Sequence, residues 1–137
     1  MGDYEMVYEI EITIFGASIQ HEKICCENVS QAVSVVKGLP EQGAVIFVAA
    51  LEGHHDYGNF YLFLNETGAA YAEIHEHREY YPKDPLTCAA FGQVDFRYED
   101  GSPFSVEAGS TTSVTRGRMA LEYWLVNQDK WPEFEWI

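Results

Sequence analysis

The triplet His75-Glu76-His77 is the part of this sequence whose residue types are best suited to chemistry. On a β-strand its two imidazoles project to one face, about 7 Å apart at their Cα atoms. Glu73 and Glu79 extend that row, and His54-His55 precedes it in the chain. Two histidines and a carboxylate can make a non-haem metal set. The flanks do not complete one. Position 69, six before His75, is Ala and not Gly, and positions 81 and 82 are Tyr and Pro and not Glu. The triplet therefore reads as a solvated or partner-facing polar strand face, with no metal and no cofactor expected.

Other catalytic arrangements are weaker. The chain has Ser, His and Asp but no G-x-S-x-G elbow. Pairing Cys88 with a histidine carries almost no information. No G-x-G-x-x-G or Walker loop offers a nucleotide site. Carboxylates are so abundant that none is singled out as half of an acid–base pair. The expectation is a binding protein, not an enzyme.

The charge sharpens what could be bound. The 137 residues carry 22 Asp and Glu against 8 Lys and Arg, a formal net charge of −14. Phosphate contacts need a basic patch, so a nucleic-acid binder is excluded, and an anionic membrane surface is disfavoured for the same reason. Cations, neutral small molecules or a basic protein remain. Aromatic residues are the second excess, at 15%. Tyr57, Phe60, Tyr61, Phe63 and Tyr71 are expected mainly in the core, whereas Tyr80-Tyr81 before Pro82 is harder to bury as a pair. Aromatics among carboxylates suit an interface for a basic partner. The candidate surface is Glu73, His75, Glu76, His77, Glu79, Tyr80 and Tyr81, with Asp95, Glu99 and Asp100 of a later hairpin as a second candidate.

These residues need elements to hold them. Met6, Tyr8, Ile10, Ile12 and Ile14 alternate with Glu5, Glu9, Glu11 and Thr13, the period-two pattern of a half-buried strand. Gly16-Ala17 allows a turn into a returning strand over 18–26. Asn28 or Ser30 can cap a helix over 30–38 that Gly38 ends. The apolar run 44–51 predicts a central strand covered on both faces. Further strands are expected at 60–65 and 69–77, the latter placing Tyr71, Glu73, His75 and His77 on one face. A looser stretch with Pro82 and Pro85 follows. Strands at 92–98 and 103–107 bracket the turn Glu99-Asp100-Gly101-Ser102.

The last helix is expected over 115–128, capped by Thr112, Ser113 or Thr115, with Met119, Ala120, Tyr123 and Trp124 inward and Leu121 and Leu125 widening that face. Arg116 and Arg118 in its first turn oppose the macrodipole and read as exposed. Phe134-Glu135-Trp136 closes the chain as a short strand. Residues 1–137 thus predict one α+β domain: a mainly antiparallel sheet of about seven or eight strands, with two main helices packed on one face.

Residues 1–15 show neither a basic n-region nor a continuous apolar h-region, so no signal peptide is expected. Cys25, Cys26 and Cys88 are an odd count without C-x-x-C. They predict a reduced, cytoplasmic protein, with Cys25-Cys26 as half-buried strand thiols.

The C-terminal run S-V-T-R-G-R-M-A-L-E-Y-W-L-V-N-Q-D-K-W-P-E-F-E-W resembles the end of immunity protein family 1 of bacterial polymorphic toxin systems. Members close with a Val-Pro or Val-Ser helix start, an amphipathic helix, a Gly-x-Arg-Pro-like turn and a strand ending in Trp. Val114-Thr115 matches the helix start, and Ala120, Tyr123, Trp124 and Leu125 match the helix core. Trp131-Pro132 matches the turn and Trp136 the closing tryptophan. Asp129 departs from the common glycine, and Trp131 from the usual basic residue. The motif covers only the run from Ser113 to Trp136, in a chain whose upstream element order is similar. The resemblance implies a cytoplasmic protein that binds and blocks a cognate secreted toxin, often a nucleic-acid deaminase or nuclease. It carries no catalytic residues, and it implies structural roles for Pro132 and Trp136. Two alternatives stand beside it: a metal-dependent enzyme using His75 and His77, and a small-molecule binding module in the concave face of the sheet.

Overall fold

The computed structural model describes residues 8–51 and 58–137. Glu5 and Met6 of the first strand pattern, and His54, His55 and Tyr57, lie outside the described residues.

Alternation builds the first hairpin. β1 (Tyr8–Phe15) buries Tyr8, Ile10 and Ile12 and pairs with β2 (Ile19–Cys26) in an unbroken antiparallel register. α1 (Val29–Lys37) follows, with the Asn28 side chain accepting from the Gln31 amide. β3 (Ala44–Ala50), β4 (Asn59–Leu64) and β5 (Ala69–His75) then form a meander beside β1. Two-residue strands β6 (Glu79–Tyr80) and β7 (Pro82–Lys83) precede the hairpin of β8 (Gln93–Arg97) and β9 (Pro103–Glu107). β10 (Thr112–Ser113) leads into α2 (Val114–Asn127), where Ser113 Oγ accepts from the Arg116 amide, and β11 (Glu135–Trp136) closes the chain.

The main sheet has seven strands in the order β10-β5-β4-β3-β1-β2, with β6 paired to β5. Every pairing is antiparallel, as expected for an α+β domain. Both helices cover one face. There Ile10, Ile46, Leu62 and Ile74 meet Ala32 and Val36 of α1 and Ala120, Leu121, Trp124 and Leu125 of α2. The Trp124 ring sits 5.9 Å from that of Tyr8 and 5.7 Å from that of Phe60, and the Tyr8 hydroxyl donates to the Leu125 carbonyl at 3.0 Å. On the opposite face the β8–β9 hairpin covers one end of the sheet, packing Phe96 on Val45, Phe63 and Tyr71. No helix among the described residues is long and apolar enough to cross a membrane.

Four expectations change. Met119 is 45% exposed, because Gly117, not Met119, lies on the inward stripe of α2 with Ala120, Leu121, Trp124 and Leu125. Cys25 is exposed and Cys26 buried, since neighbours on a strand face opposite ways. The looser stretch contains β7, which pairs with β11 once the final turn brings Trp136 opposite Pro82. Arg116 and Arg118 are not free. The Arg116 guanidinium forks onto Asp84 at 2.9 and 3.1 Å, and Arg118 donates to the last carbonyls of α1, Val36 and Lys37.

Candidate functional site

Strand register assembles a surface that no single segment contains. Across five strands, Lys23 opposes Glu11, Glu11 opposes Phe47, Phe47 opposes Tyr61 and Tyr61 opposes Glu73. In the adjacent row Cys25, Glu9, Ala49, Asn59, His75 and Glu79 are successive partners. Cross-strand partners share a face, and this face is the one turned away from the helices. The β8–β9 hairpin covers its other end and leaves these rows open.

Aromatic rings form the floor. Phe47 and Tyr61 lie 4.6 Å apart, Tyr61 lies 6.0 Å from Phe63, and His75 sits 5.0 Å from Tyr61. Glu73 accepts from the Tyr71 hydroxyl at 2.8 Å and lies 2.9 Å from His75 Nε2. Tyr81 donates to Glu79 beside them. Lys23 Nζ approaches Glu9 at 3.4 Å and Glu11 at 3.9 Å, and Thr13 Oγ1 is 3.0 Å from His21 Nδ1. A groove of about 470 Å³ runs between these groups, lined by Glu11, Thr13, His21, Lys23, Phe47, Tyr61 and Glu99.

The electrostatics follow from this placement. The Tyr61 phenol is raised above its ordinary pKa by burial and then by the negative charges of Glu99, Glu73 and Glu11. Those carboxylates come from the β8–β9 turn, β5 and β1, so separate elements converge on one ring. Burial and the bond to Glu73 raise Tyr71 further. Tyr81 is pushed up to about 12, first by its bond to Glu79, then by burial and the charges of Glu79 and Glu73. A cation placed over Phe47 and Tyr61 would gain ring attraction and carboxylate partners together.

The contiguous surface expected from sequence is divided. Glu73, His75, Glu79 and Tyr81 gather on the open face, with Glu99 at its rim. Glu76, His77 and Tyr80 do not. β5 ends at His75, and residues 76–78 turn the chain, so His77 is not on the strand face that carries His75. The His77 ring lies 5.7 Å from Tyr80, which opposes Ile74 and packs on the helix-side core. The two imidazoles therefore do not form the ligand pair that an H-x-H strand would give. Glu76 Oε1 accepts from Lys130 Nζ at 3.0 Å, and Lys130 also covers the Tyr80 ring at 3.9 Å. Among the described residues no group of three or more His, Cys, Asp or Glu is placed to hold a metal ion. Asp95 and Asp100 serve the hairpin itself. Asp95 accepts from Ser105 Oγ at 2.5 Å, and Asp100 accepts from Ser102 N at 2.8 Å and Ser102 Oγ at 2.6 Å. The Ser102 bonds hold the Asp100 carboxyl below its usual range.

Glu9, Glu11, Lys23, Phe47 and Tyr61 are the residues that sequence reading did not assign to a site. The polar positions of β1 were visible as alternation, but Phe47 is hidden in an apolar run. Register alone brings these residues together. Backbone geometry at Gly58 helps fix that register near His75. Gly58 has φ +63°, and a Cβ there would lie 1.7 Å from the His75 carbonyl oxygen. The chain matches no protein-family model, and no curated protein matches it.

Proposed function

We propose that this protein is an immunity-type inhibitor that binds a basic, cognate toxin domain through the open face of its sheet and blocks it without catalysis. The observation that carries this reading is the Phe47–Tyr61 floor ringed by Glu11, Glu73 and Glu99. A toxin that handles nucleic acid, a deaminase or a nuclease, has a basic cleft. Carboxylates around aromatic area imitate the charge of its substrate while supplying contact surface at low entropy cost. The net charge of −14 adds long-range steering.

The resemblance to immunity protein family 1 supports the same reading. Val114 starts α2, Ala120, Trp124 and Leu125 are buried in its core face, and the Trp136 indole donates to the Trp131 carbonyl at 2.9 Å. Free Cys25, Cys26 and Cys88 suit the cytoplasm, where such an inhibitor would act.

Co-expression with the protein encoded in the adjacent reading frame, which this reading takes to be the toxin, tests this function. The protein should restore growth, and charge reversal at Glu11, Glu73 and Glu99 together should abolish rescue at unchanged expression. Undiminished rescue by that variant would show that the toxin binds elsewhere. Glu76 is left out because its bond to Lys130 belongs to the fold.

A second reading has one observation behind it. A cavity of about 450 Å³ between the β8–β9 hairpin and the sheet is lined by Phe15, Leu64, Val94, Phe96 and Arg97. Its size suits a small organic ligand. A ligand-dependent rise in Tm that Phe96→Ala removes would favour this reading.

A further inference from the structure

We propose that β2 receives an extended basic segment of the partner as an added antiparallel strand, so that the partner is held by backbone pairing at the sheet edge as well as by the acidic face. This inference rests on the function proposed above and names how the partner docks.

Among the described residues, β2 has β1 on one side and no strand on the other. Its register to β1 is one-for-one from Cys26 to Ile19, without a bulge, and every residue from Ile19 to Lys23 is exposed. An edge strand of this regularity presents a row of amides and carbonyls that natural sheets guard with proline, a bulge, a covering element or charged side chains, and here the guard is charge, Glu22 and Lys23. β2 contains no proline, and the turn of the β8–β9 hairpin lies beside its first half, where Gly101 faces Ile19 and Tyr98, Glu99, Asp100 and Ser102 share an open hollow with His21.

The hydrogen-bond phase identifies the free groups. The Phe15 amide donates to the Gly43 carbonyl at 2.9 Å, on the β3 side of β1. Alternate residues of a strand direct their backbone groups to opposite sides. Glu9, Glu11 and Thr13 therefore bond toward β3, and Ile10, Ile12 and Ile14 toward β2. Their partners Ile24, Glu22 and Gln20 are satisfied within the hairpin. His21, Lys23 and Cys25 point their N–H and C=O groups away from the sheet.

Charge selects the occupant. A second copy would pair β2 with itself across a two-fold axis normal to the sheet, which places residues of the same face opposite one another. The two registers with the longest overlap set Glu22 against Glu22 or Lys23 against Lys23. Like charges directly opposite are destabilising. A strand from a basic partner meets the reverse situation. It can set a cation opposite Glu22 on one face and an uncharged residue opposite Lys23 on the other, with Glu99 beside the edge and Glu9 and Glu11 accompanying Lys23. The acidic groove also runs up to β2 through His21, Glu22 and Lys23, so strand and face form one surface.

The test uses the full chain and an end-blocked synthetic peptide of alternating Lys and Val. Amide hydrogen exchange read by NMR should slow by about tenfold or more at His21, Lys23 and Cys25 when peptide is added, and stay unchanged at Gln20, Glu22 and Ile24. His21→Pro, which removes one outward amide at an edge where proline is tolerated, should weaken peptide binding by about tenfold, and His21→Val should not. Perturbation of Tyr61 and Glu73 without slowing at the three amides would overturn strand addition and leave the acidic face standing. No perturbation at either place would overturn both. Slow exchange at those amides without peptide, in a protein that sediments as a dimer, would assign the edge to a second copy and overturn the proposal.

Discussion

Asp84 is 1% exposed, and its carboxylate gathers donors from β10, α2 and its own turn. Oδ2 accepts from Arg116 Nε at 2.9 Å and Thr112 Oγ1 at 2.5 Å; Oδ1 accepts from the second arm of Arg116 and from the Leu86 amide. The Arg116 guanidinium in turn packs against the touching rings of Trp131, at 5.1 Å, and Phe134, at 5.5 Å. Burial alone would raise the Asp84 pKa, but the bonds from Arg116, Thr112 and Leu86 outweigh it and hold the carboxyl below its usual range. Arg116→Met should therefore destabilise the protein by about 3–5 kcal/mol in chemical denaturation, because it strands a buried charge. The pH dependence has a fixed sign. With the folded pKa depressed, the unfolded chain takes up the proton first. The Asp84 contribution is complete above the unfolded value of about 3.9 and is lost as pH falls below it toward the folded value. Denaturation from pH 6 to pH 3 should show this loss in the natural chain and less of it in Asp84→Asn. None of this was legible in the sequence, where Arg116 looked like a misplaced surface charge. Its partner lies 32 residues away and no spacing rule links them.

Elements were more readable where periodicity ruled. The alternation of β1, the Asn28 cap of α1, the β8–β9 hairpin and the extent of α2 were all legible, because each depends on residues within a few positions of one another. Elements made by long-range pairing were not. β7 is two residues that become a strand only when β11 returns from the end of the chain, and the division of residues 73–81 between two faces depends on where β5 stops pairing. Gly117 shows why an element can carry a residue of poor propensity. A Cβ there would come within 3.1 Å of both Ala70 Cβ and Leu62 Cδ1, so glycine lets α2 lie close on β4 and β5. Gly117→Val should cost about 2–3 kcal/mol through overpacking, despite valine's better helix propensity, with a matching fall in Tm. An unchanged Tm would mean that α2 does not approach the sheet this closely.

At the scale of the molecule, the sheet divides its labour by face. The helices bury one side and supply most of the core. The other side is half covered by a hairpin and half open, and the open half concentrates carboxylates around two rings. The net charge of −14 would attract a cationic partner but singles out no surface, since acidic residues occur along the whole chain. Register places Glu11 and Glu73 beside Phe47 and Tyr61 on the open face. Association with a basic partner should slow steeply as ionic strength rises, because steering acts over distances that salt screens.

The most direct test of the central claim is the affinity of the purified protein for its proposed partner, a basic toxin domain, with two charge-matched variants measured in parallel. One reverses Glu11, Glu73 and Glu99 on the open face; the other reverses Glu27, Glu41 and Glu133, away from it. The account predicts a loss of about a hundredfold or more for the first, and less than about tenfold for the second, which alters only the overall charge. Equal losses from the two variants would contradict it, because the toxin would then be reading net charge and not this face.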